Sequence, residues 1–484
     1  MNGNKIPIIS TTKLEKVKNC NASNAKPEPR VNSGTLTRWG ILNDAIGDWL
    51  NNDAPEETAV KKAENEHFVN FDDLQKRILS DMFADFRILY PKRKAEIDID
   101  FPSKTVFKEI NGEEHGVSAY FQYQVSDKNT VQNIKLKIGR PDVSEIDRAI
   151  YSAEKLDNET FYAGAVADTE LIEIEDIENH QNIIDEYFEI YEDFLDNPNK
   201  TTPGSHCLSK CGRPAVCGEF PVIGDEKINT RYRGLTVSKT NIRDLEKCER
   251  KAAWNFQYSI PRDKEDSFSG DFGITFHNVA QKMLVNNDNR NDANEKERLE
   301  SLIADQDEET KVKIFKKYEE LLEKLKGYEN LDITLSEYPV GFTTITDGLI
   351  SNKDLTVKEG RVASSFIGKA DLLGRLDDVP IVIELKTGKK HPGDLTEAEL
   401  YALGVSKRLN AKEVIVLHIY VNEEKDEPNE RRFGEDEFDS IEKKFESFAE
   451  KIATWNPNDA LSPNYSLGDW CNYCEFQETC AEFR

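Results

Sequence analysis

Two β-patterned runs lie close together near the middle of the C-terminal half and are separated by a turn sequence. They cover residues 365–376 and 379–385, are rich in Ile, Leu and Val, and flank the sequence DDVP. Runs of this kind on either side of turn-forming residues predict a β-hairpin. Similar patterns predict further strands near residues 94–100, 117–125, 131–138 and 413–421.

Helical patterns occupy much of the remaining chain. They predict helices over residues 72–89, 143–154, 178–196, 311–325, 394–409 and 436–455. Residues 286–308 are polar and charge-dense, which predicts a solvated insertion. The stretch 220–234 contains Pro and Gly and is predicted to link an N-terminal half to a C-terminal half.

The predicted hairpin carries three side chains with catalytic potential. Asp371 lies in its first strand, and Glu384 and Lys386 are two residues apart in the second. Side chains two apart on a strand point to the same face, so two carboxylates and one ammonium group can converge. This set can hold a divalent cation and steer a water beside it. The alternative is an ordinary ion pair on an exposed strand.

The sequence GKADLLGRL, followed by a turn and IVIELKTGKK, resembles the active-site hairpin of the PD-(D/E)XK nucleases, in particular the RecB-like branch. Ala370 stands where that family usually has Pro. The resemblance implies that Asp371 and Glu384 bind Mg²⁺ or Mn²⁺, with the backbone carbonyl of Leu385 as a further ligand. It also implies that Lys386 orients or activates the attacking water.

The same resemblance implies two contributions from helices. RecB-like members add a His from an upstream helix, and His277 in GDFGITFHNVAQKML fits that position. They also carry a Gln and a Tyr on the helix after the Lys. Tyr401 fits the Tyr, whereas the Gln position is occupied by Glu397, which leaves the role of that pair in DNA contact open.

Composition limits how the chain can meet a nucleic acid. The 484 residues are 38% hydrophobic, enough for two or three domains with cores, and the net charge is −27. That charge disfavours loose binding to a polyanion, so DNA contact should be confined to a local basic groove, although the acidity could also reflect a salt-rich cytoplasm. The candidate cations are Lys386, Lys389, Lys390, Arg361, Lys369 and Arg375. Without an export signal or a long apolar span, we expect a soluble cytoplasmic protein with no membrane partner.

The eight cysteines form two sets, each a single Cys followed far downstream by three close together. The C-terminal set is Cys248, Cys471, Cys474 and Cys480, and the N-terminal set is Cys20, Cys207, Cys211 and Cys217. One distant thiolate plus a compact triplet is a ligand set for a [4Fe–4S] cluster that joins the two ends of a domain. Structural zinc is the alternative, particularly for the N-terminal set.

With the C-terminal cysteines included, residues 230–484 resemble the iron–sulfur RecB-like exonucleases. That group contains the CRISPR-associated exonuclease and the nuclease domains of AddB-type helicase subunits. The resemblance implies an α/β fold of the restriction-endonuclease type, with a mixed central sheet flanked by helices and clipped by four cysteines.

The N-terminal half repeats the landmarks of the C-terminal half in the same order. Residues 10–20 match 238–248, and residues 134–140 match 383–389. Trp39-Gly40-Ile41 parallels Phe272-Gly273-Ile274, which places Asp44 opposite His277, and Tyr151 parallels Tyr401. This order predicts two tandem RecB-like domains, at residues 1–225 and 226–484. An unrelated α+β domain with a metal clip is the alternative for the first.

The first predicted domain should be inactive. Lys135 occupies the position of the metal-binding Glu, where its charge would repel a divalent cation, and the Asp position falls near Gln122.

The sequence therefore predicts a metal-dependent DNA nuclease, acting on single strands or ends in DNA repair, recombination or CRISPR adaptation. The expected partners are DNA and a separate helicase or CRISPR adaptation proteins, since no GxxxxGK[ST] motif is present. The competing hypothesis is a non-catalytic iron–sulfur subunit that binds DNA or assembles such a complex.

Overall fold

The computed structural model describes most of the chain as a mixed α/β protein. The described residues are 6–25, 38–43, 71–89, 96–98, 103–126, 130–137, 143–165, 170–209, 211–263, 271–285, 294–352, 356–421 and 428–483. Asp44, which was predicted to lie opposite His277, falls outside them.

In the described part of the N-terminal half, two sheets and six helices have defined bounds. Its elements are β1 (Ile8–Ser10), α1 (Thr11–Asn19), α2 (Ala22–Ala25), α3 (Asp73–Leu89), β2 (Glu96–Asp98), β3 (Ser103–Ile110), β4 (Glu113–Tyr120), β5 (Tyr123–Ser126), β6 (Val131–Lys137), α4 (Glu145–Glu154), β7 (Glu159–Ala165), β8 (Glu170–Glu173), α5 (His180–Asp196) and α6 (His206–Ser209). Residues 38–43 are also helical. One sheet has the order β1-β4-β3 and the other the order β2-β5-β6-β7-β8.

The predicted helices of this half are confirmed, and one strand prediction needs correction. The run predicted at 117–125 is broken into β4 and β5, which belong to different sheets. A core of aliphatic and aromatic side chains lies under α4 and α5. In this core Tyr151 stacks on Phe121 and Phe161, with ring centroids 4.3 and 4.7 Å apart. Such stacked rings bury much apolar area and fix the packing of α4 on the strands.

The C-terminal half is built around one six-stranded sheet. Its elements are β9 (Arg233–Ser238), α7 (Lys239–Lys247), α8 (Glu249–Phe256), α9 (Asp271–Leu284), α10 (Asn294–Leu302), α11 (Glu308–Leu325), β10 (Leu331–Ser351), β11 (Val357–Leu376), β12 (Val379–Lys386), α12 (Asp394–Leu409), β13 (Glu413–Tyr420), β14 (Asn429–Gly434), α13 (Glu435–Ala453), a 3₁₀ turn (Asp469–Tyr473) and α14 (Gln477–Glu482). The strand order is β10-β11-β12-β13-β14, and β9 also pairs with β11.

The predicted hairpin is confirmed as β11 and β12. The two strands are antiparallel, with Leu372 opposite Ile383, and β12 continues into a parallel pairing with β13. Asp377 in the turn has φ 53°, a left-handed conformation that Asp tolerates better than bulkier residues. Strand β11 begins eight residues earlier than predicted and pairs along its length with β10, which was not predicted.

The region predicted as a solvated insertion is only partly exposed. Its residues 294–302 form α10, whose Leu299 is buried, and Ile303 just after it is buried too. Both side chains pack in the core that α9 and α11 form against the sheet. An apolar position every fourth residue explains why this charged stretch still docks.

The two halves share one hydrophobic core. Buried side chains of α3, including Leu74, Leu79 and Phe83, belong to the cluster that contains Trp254 and Phe445 of the C-terminal half. Hydrogen bonds cross the same boundary: the guanidinium of Arg38 donates to the carbonyl of Tyr258 at 2.9 Å. The side-chain amide of Gln75 donates to the carbonyl of Asn458 at 2.8 Å.

The predicted linker is also built into the fold. The N–H of Ile223 donates to the carbonyl of Thr343 at 2.8 Å, and the N–H of Thr343 donates to the carbonyl of Pro221 at 2.8 Å. Its last residues, 233–234, begin strand β9. Across the described part of the chain, no helix combines the length and apolarity that crossing a membrane requires.

Candidate active site

An open cleft of about 860 Å³ lies over the hairpin and receives most of the predicted catalytic residues. His277, Asp371, Glu384, Leu385 and Lys386 all line it. Tyr401 does not reach the cleft, because its side chain is fully buried behind Glu384. The structure therefore brings five of the six predicted residues to one surface and places the sixth as their support.

Asp371 is fixed by three residues on two elements, β12 and α9. Its Oδ2 accepts the N–H of Leu385 at 2.8 Å, and its Oδ1 lies 3.4 Å from both the side-chain amide of Gln281 and Nδ1 of His277. Burial opposes ionisation of this carboxyl, but the hydrogen bond and charge of His277, together with Lys239, lower its pKa below the usual value. Asp371 is therefore held as a carboxylate.

Glu384 is almost completely buried, with 1% of its surface exposed. Its Oε2 accepts the N–H of Asp371 at 3.2 Å, and its Oε1 accepts a hydrogen bond from Lys239 and lies 3.5 Å from Nζ of Lys386. Burial, reinforced by the charges of Asp371 and Glu397, raises the pKa of Glu384 to about 8. A cation at this carboxylate offsets the cost of its charge.

Glu397, which stands at the family's Gln position, lies among three cations. Nζ of Lys386 lies 2.8 and 3.0 Å from its two oxygens, Nζ of Lys239 lies 2.7 Å away, and Arg243 donates a further hydrogen bond. Burial opposes its charge, yet Lys239, Lys386 and Arg243 hold its pKa well below the usual range. A carboxylate here thus restrains Lys386 more strongly than a neutral amide would.

Tyr401 supports Glu384 from one turn further along α12. Its hydroxyl donates to the carbonyl of Lys369 at 2.8 Å and lies 3.3 Å from Oε1 of Glu384. A Cβ on Gly368 would lie 2.6 Å from the Tyr401 ring, so this close approach requires glycine. Glu397 and Tyr401 reach the same site because residues four apart share one helix face.

His277 reaches the site from α9, which packs closely on the hairpin. A Cβ on Gly273 would lie 3.1 Å from Oγ1 of Thr387, so the glycine lets the start of α9 approach the end of β12. One turn later the imidazole of His277 faces Asp371. In the Gly-then-His order of the sequence, Gly273 thus allows the close contact with β12, and His277 is the functional side chain.

Several polar residues of the site were not predicted, among them Gln281 and Arg243 described above. Lys239 begins α7 directly after its capping residue, and Glu337 of β10 lines the cleft beside Lys369 with φ 54°. His418 lies opposite Glu384 in the sheet, fully buried, and neither ring nitrogen has a hydrogen-bond partner among the described residues. Burial, together with Lys386, lowers the pKa of His418 to about 4, so it is neutral.

Of the cations predicted to form a basic groove, only some line the cleft. Lys369, Lys386 and Lys389 line the cleft, and Lys239, Arg243 and Lys313 join them. Arg361 instead forms ion pairs outside the cleft, and Arg375 donates to a carbonyl of the hairpin turn. Nζ of Lys390 lies 5.5 Å from the centroid of the Tyr420 ring.

The C-terminal cysteines come together in one pocket. Cys248, Cys471, Cys474 and Cys480 line it, together with Trp254 and Trp470. Cys248 lies at the junction of α7 and α8, so the pocket joins the start of the C-terminal half to its last segment. Burial raises the pKa of Cys474 to about 11.

The N-terminal cysteines line a second pocket. Its thiols are those of Cys20, Cys207, Cys211 and Cys217. Burial raises the pKa of Cys207 to about 12 and that of Cys211 to about 11, so bound metal would be needed to keep them as thiolates. Within the described residues, no three His, Cys, Asp or Glu side chains lie close enough to hold a single metal ion, here or in the cleft.

The sequence profile of the PD-(D/E)XK nuclease superfamily matches residues 236–481, slightly more than half of the chain. The chain belongs to this superfamily. The match begins in β9 and ends beyond Cys480, so it includes every described residue that lines the cleft except Leu208.

Comparison with solved structures and with curated proteins adds little. The crystal structure of SSO0001 is similar to 54% of this chain and 90% of its own, at 16% sequence identity and a TM-score of 0.21. At that score the structural similarity is too low to support a conclusion about this chain. No curated protein matches the chain.

Proposed function

We propose that this protein is a metal-dependent nuclease that hydrolyses phosphodiester bonds of DNA, on single strands or at duplex ends. One observation carries the proposal: His277, Asp371, Glu384 and Lys386 converge on one cleft inside a region that matches the PD-(D/E)XK superfamily. The cations around them suit a phosphate backbone. They give the cleft local positive charge, although the net charge of the whole chain is −27.

The donors in the cleft suit Mg²⁺ or Mn²⁺. Two carboxylates, the carbonyl of Leu385 and one imidazole are oxygen-rich ligands of the kind these ions prefer. When bound, the ion would polarise the phosphate and lower the pKa of an attacking water. Glu384 already directs one oxygen to the N–H of Asp371 and the other to Lys239, so an ion at that second oxygen would be repelled by the nearby ammonium of Lys239.

The protein side chains then have separate tasks. Lys386, restrained by Glu397, presents its ammonium beside Glu384, where it can hydrogen-bond the attacking water or the phosphate. His277 and the N–H of Leu385 hold the Asp371 carboxylate in one orientation. Tyr401 holds Glu384 from behind. Such fixed charges lower the barrier because they need no reorganisation during the reaction.

We further propose that each cysteine pocket binds a [4Fe–4S] cluster with a structural role. In each pocket one cysteine from near the start of a half meets three from its last segment, which is a ligand set for such a cluster, with structural zinc as the alternative. Anaerobically purified protein should contain about eight irons and eight sulfides per chain. Four irons would leave one cluster, and stoichiometric zinc without iron would refute both.

Tandem duplication is the third part of the proposal. The pairing of strands supports it: β1 is parallel to β4, β6 to β7, and β8 is antiparallel to β7. In the C-terminal half β9 is parallel to β11, β12 to β13, and β14 is antiparallel to β13. We propose that the N-terminal half is a RecB-like copy without catalytic ligands, and that a separate helicase or CRISPR adaptation complex supplies any unwinding.

The decisive experiment is a nuclease assay of anaerobically purified full-length protein. End-labelled single-stranded and double-stranded DNA would be incubated with Mg²⁺ or Mn²⁺, and with a chelator as the control. Metal-dependent shortening of the label from single strands or ends is the expected result. If the folded, metal-supplied protein leaves every substrate intact, the proposal is wrong and a non-catalytic DNA-binding role takes its place.

A further inference from the structure

The N-terminal half reaches into the catalytic cleft at one place. Helix α6 is a single turn that carries Cys207 and Leu208. Leu208 lines the same cleft as Lys239, Asp371 and Lys386, whereas Cys207 faces the N-terminal cysteine pocket. Two adjacent residues thus face two different sites.

The segment around α6 is packed on the elements that carry the catalytic residues. Cys207 and Phe220 are buried against Ile367 of β11, four residues before Asp371. At the end of α12, Arg408 donates to the carbonyl of Glu219 at 2.6 Å and to its carboxylate. The segment therefore contacts both the strand of Asp371 and the helix of Tyr401.

Little regular structure holds this segment by itself. Between α5 and β9 the described chain contains only α6 and the bridge from Val222 to Thr343. The four thiols of the N-terminal pocket join it to the end of α1, where Sγ of Cys20 accepts the N–H of Thr202 at 3.5 Å. Metal bound by these thiols would fix the segment, and Leu208 with it.

Leu208 adds an apolar contact to a cleft rich in cations. The cations suit phosphates, while Leu208, Phe272 and the half-exposed Ile274 offer surface to sugars and bases. The faces of bases are accessible in a single strand and stacked away in a duplex. Contacts of this kind would favour unpaired DNA.

We propose that the N-terminal cysteine site holds Leu208 in place as a substrate-contacting residue of the nuclease cleft, so that metal bound by one half sets how tightly the other half binds single-stranded DNA. This inference rests on the proposed nuclease function. It assigns to the N-terminal half a direct part in substrate binding.

The contact can be tested without catalysis. A photo-reactive benzoylphenylalanine placed at position 208 should cross-link a labelled single-stranded oligonucleotide when Mg²⁺ and Mn²⁺ are left out of the reaction. The same group at Leu195, a partly exposed position of α5 that does not line the cleft, is the matched control. Labelling at 195 equal to that at 208 would overturn the inference. Cross-linking at 208 by a protein that never cuts DNA would refute the nuclease proposal and keep the contact.

The link to the cysteine site is tested by kinetics and metal analysis. Leu208→Ala should raise KM for a single-stranded substrate roughly ten-fold and leave kcat within about two-fold. Cys20→Ser, a change outside the cleft, should lose the metal of its pocket and raise KM in the same way. Ser23→Ala, in the same pocket but with no thiol, should do neither. A folded Cys20→Ser protein that lacks the metal but keeps the wild-type KM would break the link. If that variant does not fold, Leu208→Ala and the cross-link still decide on the contact.

Discussion

Under the proposed duplication, the hairpin of the C-terminal half and the corresponding strands of the N-terminal half carry opposite charges at one position. In the first, Glu384 and Glu397 share the ammonium of Lys239. In the second, Lys135 stands at the position of Glu384 and pairs with Asp147, which lies four residues before Tyr151 as Glu397 lies four before Tyr401. Thr11, one residue after the helix cap like Lys239, donates to Asp147 at 2.7 Å.

The difference shows how a buried lysine can supply the positive charge that a bound metal ion would otherwise supply. The Lys135–Asp147 pair is internally neutral, 9% and 3% exposed, and hydrogen-bonded to Thr11, so it needs no external ion. At the C-terminal hairpin, Asp371 and Glu384 line the cleft, and the buried carboxylate of Glu397 on α12 lies close to Glu384. Carboxylates that border an open cleft can take up a further cation, whereas a buried carboxylate paired with one lysine already has its counter-charge.

Removing the catalytic lysine should produce the largest contrast between the halves. Lys386→Ala should lower kcat on single-stranded DNA by at least about a thousand-fold, because its ammonium is a fixed charge at the reacting phosphate. Lys137→Ala, at the matching position of β6, should leave kcat unchanged. Both variants should keep the far-UV circular dichroism of the wild type. Wild-type cleavage by Lys386→Ala would show that the hairpin is not the active site.

Breaking the buried pair of the N-terminal half should affect stability and not catalysis. Asp147→Asn leaves the Lys135 ammonium buried without its counter-charge, which should lower the free energy of unfolding by about 3 kcal/mol. Denaturant titration of the full chain measures this loss. Asp176→Asn, which breaks a more exposed pair with Lys155, is the control and should cost at most about 1 kcal/mol. Similar losses for the two variants would contradict the role given to the buried pair.

A smaller effect should follow when Lys239 is neutralised. Lys239→Met removes the ammonium that occupies one oxygen of Glu384, so Mn²⁺ should bind roughly ten-fold more tightly, about 1.4 kcal/mol. Calorimetric titration of Mn²⁺ into protein without DNA measures this directly. Lys313→Met, a cleft cation that makes no ion pair with Glu384, is the matched control. Weaker binding after Lys239→Met would mean that the lysine helps to form the site.

The local sequence pattern was sufficient to predict the β11–β12 hairpin but not β10, the strand that pairs with β11. The runs around Asp377 have the apolar content and turn residues that a hairpin requires, and the strand ends at the turn, Leu376 and Val379, were predicted correctly. Strand β10 was missed because Pro339, Gly341 and Gly348 interrupt its pattern, yet it pairs along β11 over its whole length. Gly341 is required there, since a Cβ would lie 2.1 Å from the carbonyl oxygen of Phe366.

The active-site residues likewise include some that the local sequence pattern predicts and others that it does not. Asp371, Glu384 and Lys386 lie within one hairpin, so their spacing in the sequence already fixes their common face. Lys239 and Glu337 come from elements distant in sequence, and only tertiary packing brings them to the carboxylates. The departure at Glu397 was visible in the sequence, but its consequence depends on Lys239 and Arg243, which no local pattern connects to it.

The shared core determines whether the two halves of the chain can be separated from each other. Because Leu74, Leu79 and Phe83 are buried with Trp254 and Phe445, the unit that the sequence repeats is not the unit that folds. A fragment cut at residue 226 would leave the face that α3 covers open to solvent and the backbone groups of Thr343 without the partners at 221–223. If the halves arose as copies, they have since become obligate neighbours, and the intact chain should melt in one cooperative transition.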